Sequence, residues 1–344
     1  MIAEQINLEA RNQMRFMEVC GGHTHSLRRF GIPDLLPDCI ELISGPGCPV
    51  CVTSYGFIDQ AAALVQNPEI TVCSYGDLIR VPGSKTSLEK EMASGRDVRI
   101  VLSSLQSLEL ASGNPSRQVV FLGIGFETTA PSTAAALLEA YRLGIKNFSV
   151  YSAHKIMPPA MRALTASDIM LDGFICPGHV STITGSEMYR FLADEHGLAC
   201  VISGFEPLDL MQTILMLVRQ TNKKNPLVEI QYKRAVKPEG NRKALAMMHE
   251  AFSLSDDWWR GLGNIPLSGL RISEKYSDFD ARERFGLHDV ESPEPKGCSC
   301  GEILRGAKKP EDCTLFSTVC SPDNPVGACM VSPEGACNAS YRYR

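Results

Sequence analysis

Residues 120–131, VFLGIGFETTAP, decide the fold. An unbroken apolar run ends at a glycine, a polar cluster Glu127-Thr128-Thr129 follows, and Pro131 opens the helical pattern STAAALLEAYRLG of residues 132–144. A run without polar alternation suits a strand buried on both faces, as in a parallel sheet covered by helices. Strand, glycine turn, then helix is the repeating unit of an α/β protein.

The same unit recurs on either side. Further apolar runs are CIELIS (39–44), EITVCSY (69–75), VRIVLSS (98–104), NFSVYSA (147–153), GFIC (173–176) and LACVISG (198–204). They also show a faint internal repeat. FMEVCGGHTHS (16–26) parallels VFLGIGFETTAP, ELISGPGCPVC (41–51) parallels DGFICPGHVST (172–182), and TVCSYGDLIRV (71–81) parallels CVISGFEPLDL (200–210). Three matched strand-then-turn units in one order predict two similar parallel-sheet α/β domains, residues 14–110 and 111–222. Ligands of such sheets bind beyond the carboxyl ends of the strands, so the six turns are expected to face one cleft. After Asn222 the sequence becomes charged and irregular, and a smaller domain is expected over 223–344, packed with the N-terminal segment 1–13.

At 344 residues, 44% hydrophobic and 21% charged, the chain has the composition of a globular protein of two or three domains. A net charge of −5 with no Lys/Arg run argues against a nucleic-acid partner. The start, MIAEQINLEARNQMRF, lacks the apolar core of a signal peptide, and no apolar run approaches the roughly 20 residues that span a bilayer. A cytoplasmic protein without membrane contact is expected, with cysteines reduced, metal-bound or transiently oxidised.

Six of the 13 cysteines lie in the tail, at Cys298, Cys300, Cys313, Cys320, Cys329 and Cys337. Cys298, Cys313, Cys320 and Cys337 read as C-x14-C-x6-C-x16-C, four thiolates that suit either one iron–sulfur cubane or one structural zinc. A small domain with a thin core is where a metal would supply stability.

Two turns promise chemistry. In Cys20-Gly21-Gly22-His23-Thr24-His25, a strand-end thiol sits on flexible backbone with two histidines in reach, able to tune it or share a metal. In Gly45-Pro46-Gly47-Cys48-Pro49-Val50-Cys51, a C-x-x-C stiffened by proline resembles a dithiol redox motif. Glu127, His179, Glu206 and Asp209 offer acids and a histidine to the cleft, with helix capping as the plain alternative. His154 and Lys155 are further cleft candidates. Cys39, Cys73 and Cys200, on apolar runs, read as small core residues. Gly123-Ile124-Gly125 lacks the third glycine of a dinucleotide fingerprint, and Gly83-Ser84-Lys85-Thr86 is spaced wrongly for a phosphate loop, so no nucleotide is inferred.

Together CGGHTH, GPGCPVC, GFETTAP, CPGHVS, GFEPLD, WRGLGNIPLSGL and the tail CSCGEILRG…C…C…NPVGACMVSPEGAC resemble the HypD family of hydrogenase maturation proteins. The resemblance runs from about Phe16 to Tyr343. It implies two similar α/β domains and a third bearing one [4Fe-4S] cluster. It implies a scaffold for the Fe(CN)2CO group of [NiFe]-hydrogenases, working with a HypC-type chaperone and a HypE-type cyanide donor. Cys20 would then ligate the iron with His23 nearby, and Cys48 and Cys51 would pass electrons. Cys298, Cys313, Cys320 and Cys337 would hold the cluster, with Cys300 the rival of Cys298 as first ligand. The alternative on the same residues is an iron–sulfur-dependent thiol–disulfide oxidoreductase.

Overall fold

The computed structural model describes residues 1–166, 170–288 and 294–343. Among these the strands are β1 (Met14–Glu18), β2 (Ile40–Ser44), β3 (Ile70–Ser74), β4 (Val98–Ile100), β5 (Gln118–Gly125), β6 (Phe148–Lys155), β7 (Gly173–Pro177), β8 (Ala199–Ser203), β9 (Val228–Ile230), β10 (Phe252–Trp259) and β11 (Gly263–Ile272). They form two sheets, of order β2-β1-β7-β8-β9 and β10-β11-β6-β5-β3-β4. The first sheet is parallel throughout, with Phe16 opposite Leu42 and Gly173, and Phe174 opposite Cys200. β3, β6, β7 and β8 are buried along their whole length, as the unbroken apolar runs require.

Four expectations need correction. First, the sheets do not follow the split at 110/111. The chain lays down β1 and β2, leaves for β3 to β6 in the second sheet, returns for β7 to β9, and leaves again for β10 and β11. Apolar runs specify buried parallel strands, but any such strand satisfies the hydrogen bonds of any other, so local sequence did not dictate the partner. Second, the second sheet is mixed, because the hairpin β10–β11 adds antiparallel to β6, pairing Leu270 with His154. Third, residues 223–344 are not set apart. β9 joins one sheet and β10–β11 the other, while Cys300, Ile303, Leu304 and Phe316 share a continuous core with Met17, Val120 and Phe174.

The N-terminal segment also goes elsewhere than expected. Helix Ile2–Glu9 buries Ile6 with Leu210, Ile214 and Leu217 of helix Pro207–Lys223, away from the cysteine tail. Burying one such isoleucine contributes about 1.5–3 kcal/mol. Arg219 pairs with Glu9 at 2.7 Å and Asn222 donates to the Glu9 carbonyl, closing the contact. No helix among the described residues is long and apolar enough to cross a membrane.

Candidate functional site

Cys20 ends β1 as the N-cap of helix Gly21–Arg29. The backbone N–H groups of His23 and Gly22 point at its sulfur and favour thiolate, as a helix N-terminus does. Burial outweighs them, and with the nearby carboxylates of Glu334 and Glu18 it pushes the Cys20 thiol up to about 12. The resting group is therefore a protonated thiol. Beneath the turn, the buried Glu18 carboxyl accepts from the Cys20 N–H at 3.2 Å and from the Thr24 hydroxyl at 2.5 Å. Burial pushes Glu18 up to about 8 against these bonds.

The loop after β2 is fastened to this turn. Gly47 packs on Cys20 so tightly that a Cβ would lie 2.3 Å from the Cys20 nitrogen, and the Gly21 N–H donates to the Gly47 carbonyl at 2.9 Å. Only glycine permits that approach. Cys48 follows as the N-cap of the short helix Pro49–Val52. Cys48, Tyr75, Asp77, Gly125, Thr129 and Glu334 line a cleft of about 310 Å³ that draws on turns of both sheets and on the tail. The tail is held there by Ser332, whose hydroxyl donates to Asp77 at 2.8 Å, and the Glu334 side chain lies against Gly21.

The histidines do not act as the sequence suggested. His23 is fully buried, and its Nε2 donates to the Ser203 carbonyl at 3.2 Å while Nδ1 has no hydrogen-bond partner among the described residues. Burial pulls it down to about 4, so a neutral ring brings no positive charge to Cys20, and His23 reaches the thiol by its backbone N–H. Its ring stacks on Phe205 at 4.6 Å, and His179 stacks on the same Phe205 at 3.9 Å, joining the turns after β1, β7 and β8. His25 faces the Pro333 carbonyl and the Tyr343 hydroxyl of the tail.

The acidic turns divide. Glu127 is buried and its Oε1 accepts from the Met157 N–H at 3.0 Å, capping helix Met157–Thr165, while Oε2 has no partner among the described residues. Burial pushes Glu127 up to about 7. Glu206 and Asp209 form the capping box of helix Pro207–Lys223. The Arg234 guanidinium, bonded at 2.5 Å and 2.8 Å, holds Asp209 down at about 2. His154 and Lys155 lie in the core rather than the cleft, bonded to Thr133 and to Asp257 and Trp258 respectively.

The thiols form a continuous path. Cys51, fully buried, donates from its sulfur to the carbonyl of Ala328, the residue before Cys329, at 3.9 Å, and burial shifts its thiol well up, with Cys329 and Cys48 as neighbours. Cys329 in turn meets Cys300, sulfur to sulfur at 2.7 Å. Cys298, Cys313, Cys320 and Cys337 line one small apolar cavity together with Cys300 and Cys329. The Cys320 sulfur accepts from the Val326 N–H at 3.4 Å, the kind of bond that stabilises a metal-bound thiolate. Among the described residues no three His, Cys, Asp or Glu side chains are set at metal-binding separations. By donor chemistry alone, thiols lining an apolar pocket suit an iron–sulfur cubane or zinc.

Sequence reasoning missed Glu18, Glu334 and Phe205, and left Cys300 and Cys329 without a task. A carboxylate inside the apolar run FMEVC was the available signal for Glu18. For Glu334 it was an acid lying between Cys329 and Cys337.

The HypD profile, described as "Hydrogenase formation hypA family", matches residues 1–344. The chain is 51% identical over 352 residues to the hydrogenase expression/formation protein HupD of Azotobacter chroococcum mcd 1, covering 99% of this chain and 93% of that one. It is likewise 51% identical over 352 residues to the hydrogenase maturation factor HypD of Azotobacter vinelandii, with the same coverage. To the HypD of Rhodobacter capsulatus it is 46% identical over 348 residues, 99% of this chain and 92% of that protein. With these matches spanning the turns that meet at Cys20, the chain belongs to the HypD family of hydrogenase maturation factors.

Proposed function

We propose that this chain is the scaffold on which the Fe(CN)2CO group of [NiFe]-hydrogenases is assembled, in complex with a HypC-type chaperone and with cyanide from a HypE-type protein. The observation that carries the reading is the fastening of the Cys48 loop onto the Cys20 turn through Gly47, with thiols running on from Cys48 to the tail. A soft thiolate anchor beside a dithiol is what iron with diatomic ligands calls for.

In this reading Cys20 binds the incoming iron and gives up its proton. Burial makes that proton costly to lose without a cation in place, so the thiol waits protonated until iron arrives. Cys48 and Cys51 cycle between dithiol and disulfide, with Cys48 at the wall of the cleft and Cys51 buried behind it. Cys298, Cys313, Cys320 and Cys337 would hold a [4Fe-4S] cluster, which when bound supplies one-electron reduction. The pairing of Cys300 with Cys329 favours Cys298 over Cys300 as the first of the four.

The test is anaerobic purification with a co-expressed HypC-type partner, followed by infrared spectroscopy and iron analysis. Bands of iron-bound CN and CO are expected. The second reading, a thiol–disulfide oxidoreductase, is favoured by the same thiol path. It expects disulfide reduction and no such bands. A tail that binds zinc and no iron in the anaerobic protein contradicts both.

A further inference from the structure

The motif WRGLGNIPLSGL has no part in the site as described so far, yet it holds a deeply buried charge. Arg260, in the turn between β10 and β11, is only 2% exposed. Its guanidinium stacks on Tyr55 at 3.7 Å and donates from Nη2 to the Thr53 carbonyl at 2.6 Å. Nε and Nη1 are buried with no hydrogen-bond partner among the described residues. A buried cation with two idle donors is costly unless an anion or polarisable partner faces it. Tyr55, Cys300, Cys329 and Glu294 are ionisable groups near it.

The turn also bridges the two halves of the thiol path. The Arg260 N–H donates to the Val52 carbonyl at 3.0 Å, one residue beyond Cys51. Gly261, at φ +80°, lies against Gly301, one residue beyond Cys300, so closely that a Cβ would sit 2.4 Å from the Gly301 carbonyl oxygen. One short turn therefore grips the segment of Cys51 with one hand and the segment of Cys300 with the other.

We propose that Arg260 is a positioning residue for thiol exchange between the Cys48/Cys51 pair and the Cys300/Cys329 pair. This rests on the thiol path of the proposed function. In the exchange, Cys329 attacks the Cys51 sulfur of an oxidised Cys48–Cys51 pair. The Cys51–Cys329 bond forms, the Cys48–Cys51 bond breaks, and Cys48 leaves with the electron pair and takes a proton. Cys300 then attacks Cys329, the Cys300–Cys329 bond forms, and Cys51 leaves as a thiol. Two electrons and two protons pass between the pairs with no outside reagent. Arg260 holds Cys51 and Cys329 at attacking distance and turns its free donors to the sulfurs.

The test uses the full chain carrying Cys48→Ser and Cys300→Ser, which leaves Cys51 and Cys329 to crosslink under diamide, followed by peptide mass spectrometry. Arg260→Met is expected to slow the crosslink about tenfold or more, as a small misplacement of reacting atoms does. Arg260→Lys is expected to recover part of the rate, which a loss of packing alone does not explain. Thermal melting and the visible spectrum serve as fold controls, and Arg260→Gln carries the same test should Arg260→Met not fold. A parental rate in a folded Met or Gln variant overturns the proposal alone. Absence of the crosslink in the parent overturns the thiol path and this role together.

Discussion

The strand–turn units at 16–26 and 120–131 look alike in sequence and end in opposite ways. After β1, Cys20 caps its own helix, a glycine loop closes over it, and two carboxylates gather around the thiol. After β5, Glu127 turns into the core to cap helix Met157–Thr165. The first unit places a buried thiol where two loops and the tail meet. The second uses a similar polar cluster at the wall of the cleft that Cys48 lines, where Gly125 and Thr129 lie. The surroundings of a polar group at a strand end thus depend on what the neighbouring strands bring to it, and β2, paired with β1, sets the Gly47–Cys51 loop against the Cys20 turn.

The largest expected effect separates the two units outright. Cys20→Ala should abolish hydrogenase maturation in a complementation assay while shifting the thermal midpoint little, because one small side chain is lost. Glu127→Ala should instead lower the midpoint, with maturation lost only in step with the folded fraction. Removing a buried hydrogen-bonded carboxyl costs on the order of 1–3 kcal/mol. If Cys20→Ala supports maturation, the division between the units is wrong.

A pH series sharpens the same contrast. Glu127 rises from an ordinary carboxyl value near 4.5 to about 7 on folding, so the folded state holds its proton more tightly. Its contribution is fully present below the unfolded value and is lost as pH climbs through about 7, on the order of 3 kcal/mol in all. His23 and His154, pulled down to about 4, act in the opposite sense: their contribution is present above about 6.5 and lost as pH falls through 4. Urea unfolding of wild type and Glu127→Gln between pH 5 and 8 should therefore differ in slope, with the wild type losing more stability toward pH 8. Parallel curves would refute the buried-carboxyl description.

Smaller effects belong to residues that only brace the sheets. Asp209→Ala removes a cap and the partner of Arg234 and should cost about 1–2 kcal/mol by chemical denaturation, with no change in metal content. Glu9→Ala breaks an exposed ion pair and should cost less than about 1 kcal/mol. A loss of maturation from Glu9→Ala in a fully folded protein would mean that the N-terminal helix does more than pack.

Much of the fold was legible because buried parallel strands must be apolar on both faces. The apolar run from Val120 to Gly125 lies within β5, and 173–176 falls short of β7 by one residue. Strand partners were not legible, since a parallel pair leaves no local turn to mark it, and so the interleaving of the two sheets escaped the reading. β10 and β11 escaped it for another reason: exposed Ser253, Leu254, Asp256 and Trp258 on an edge strand give no continuous apolar signal. At the site, the cysteines announced themselves by type. The neutrality of His23 did not, because it depends on the Ser203 carbonyl, which lies 180 residues away in the chain.

The central claim is that iron is received at Cys20, in the turn clasped by the Gly47–Cys48 loop. It is tested most directly by infrared spectra of the anaerobic complex with a HypC-type partner, recorded for wild type and Cys20→Ala at matched protein and iron–sulfur content. The account predicts CN and CO bands in the wild type and none in the variant, with the visible spectrum of the tail unchanged. Equal bands in both would contradict it.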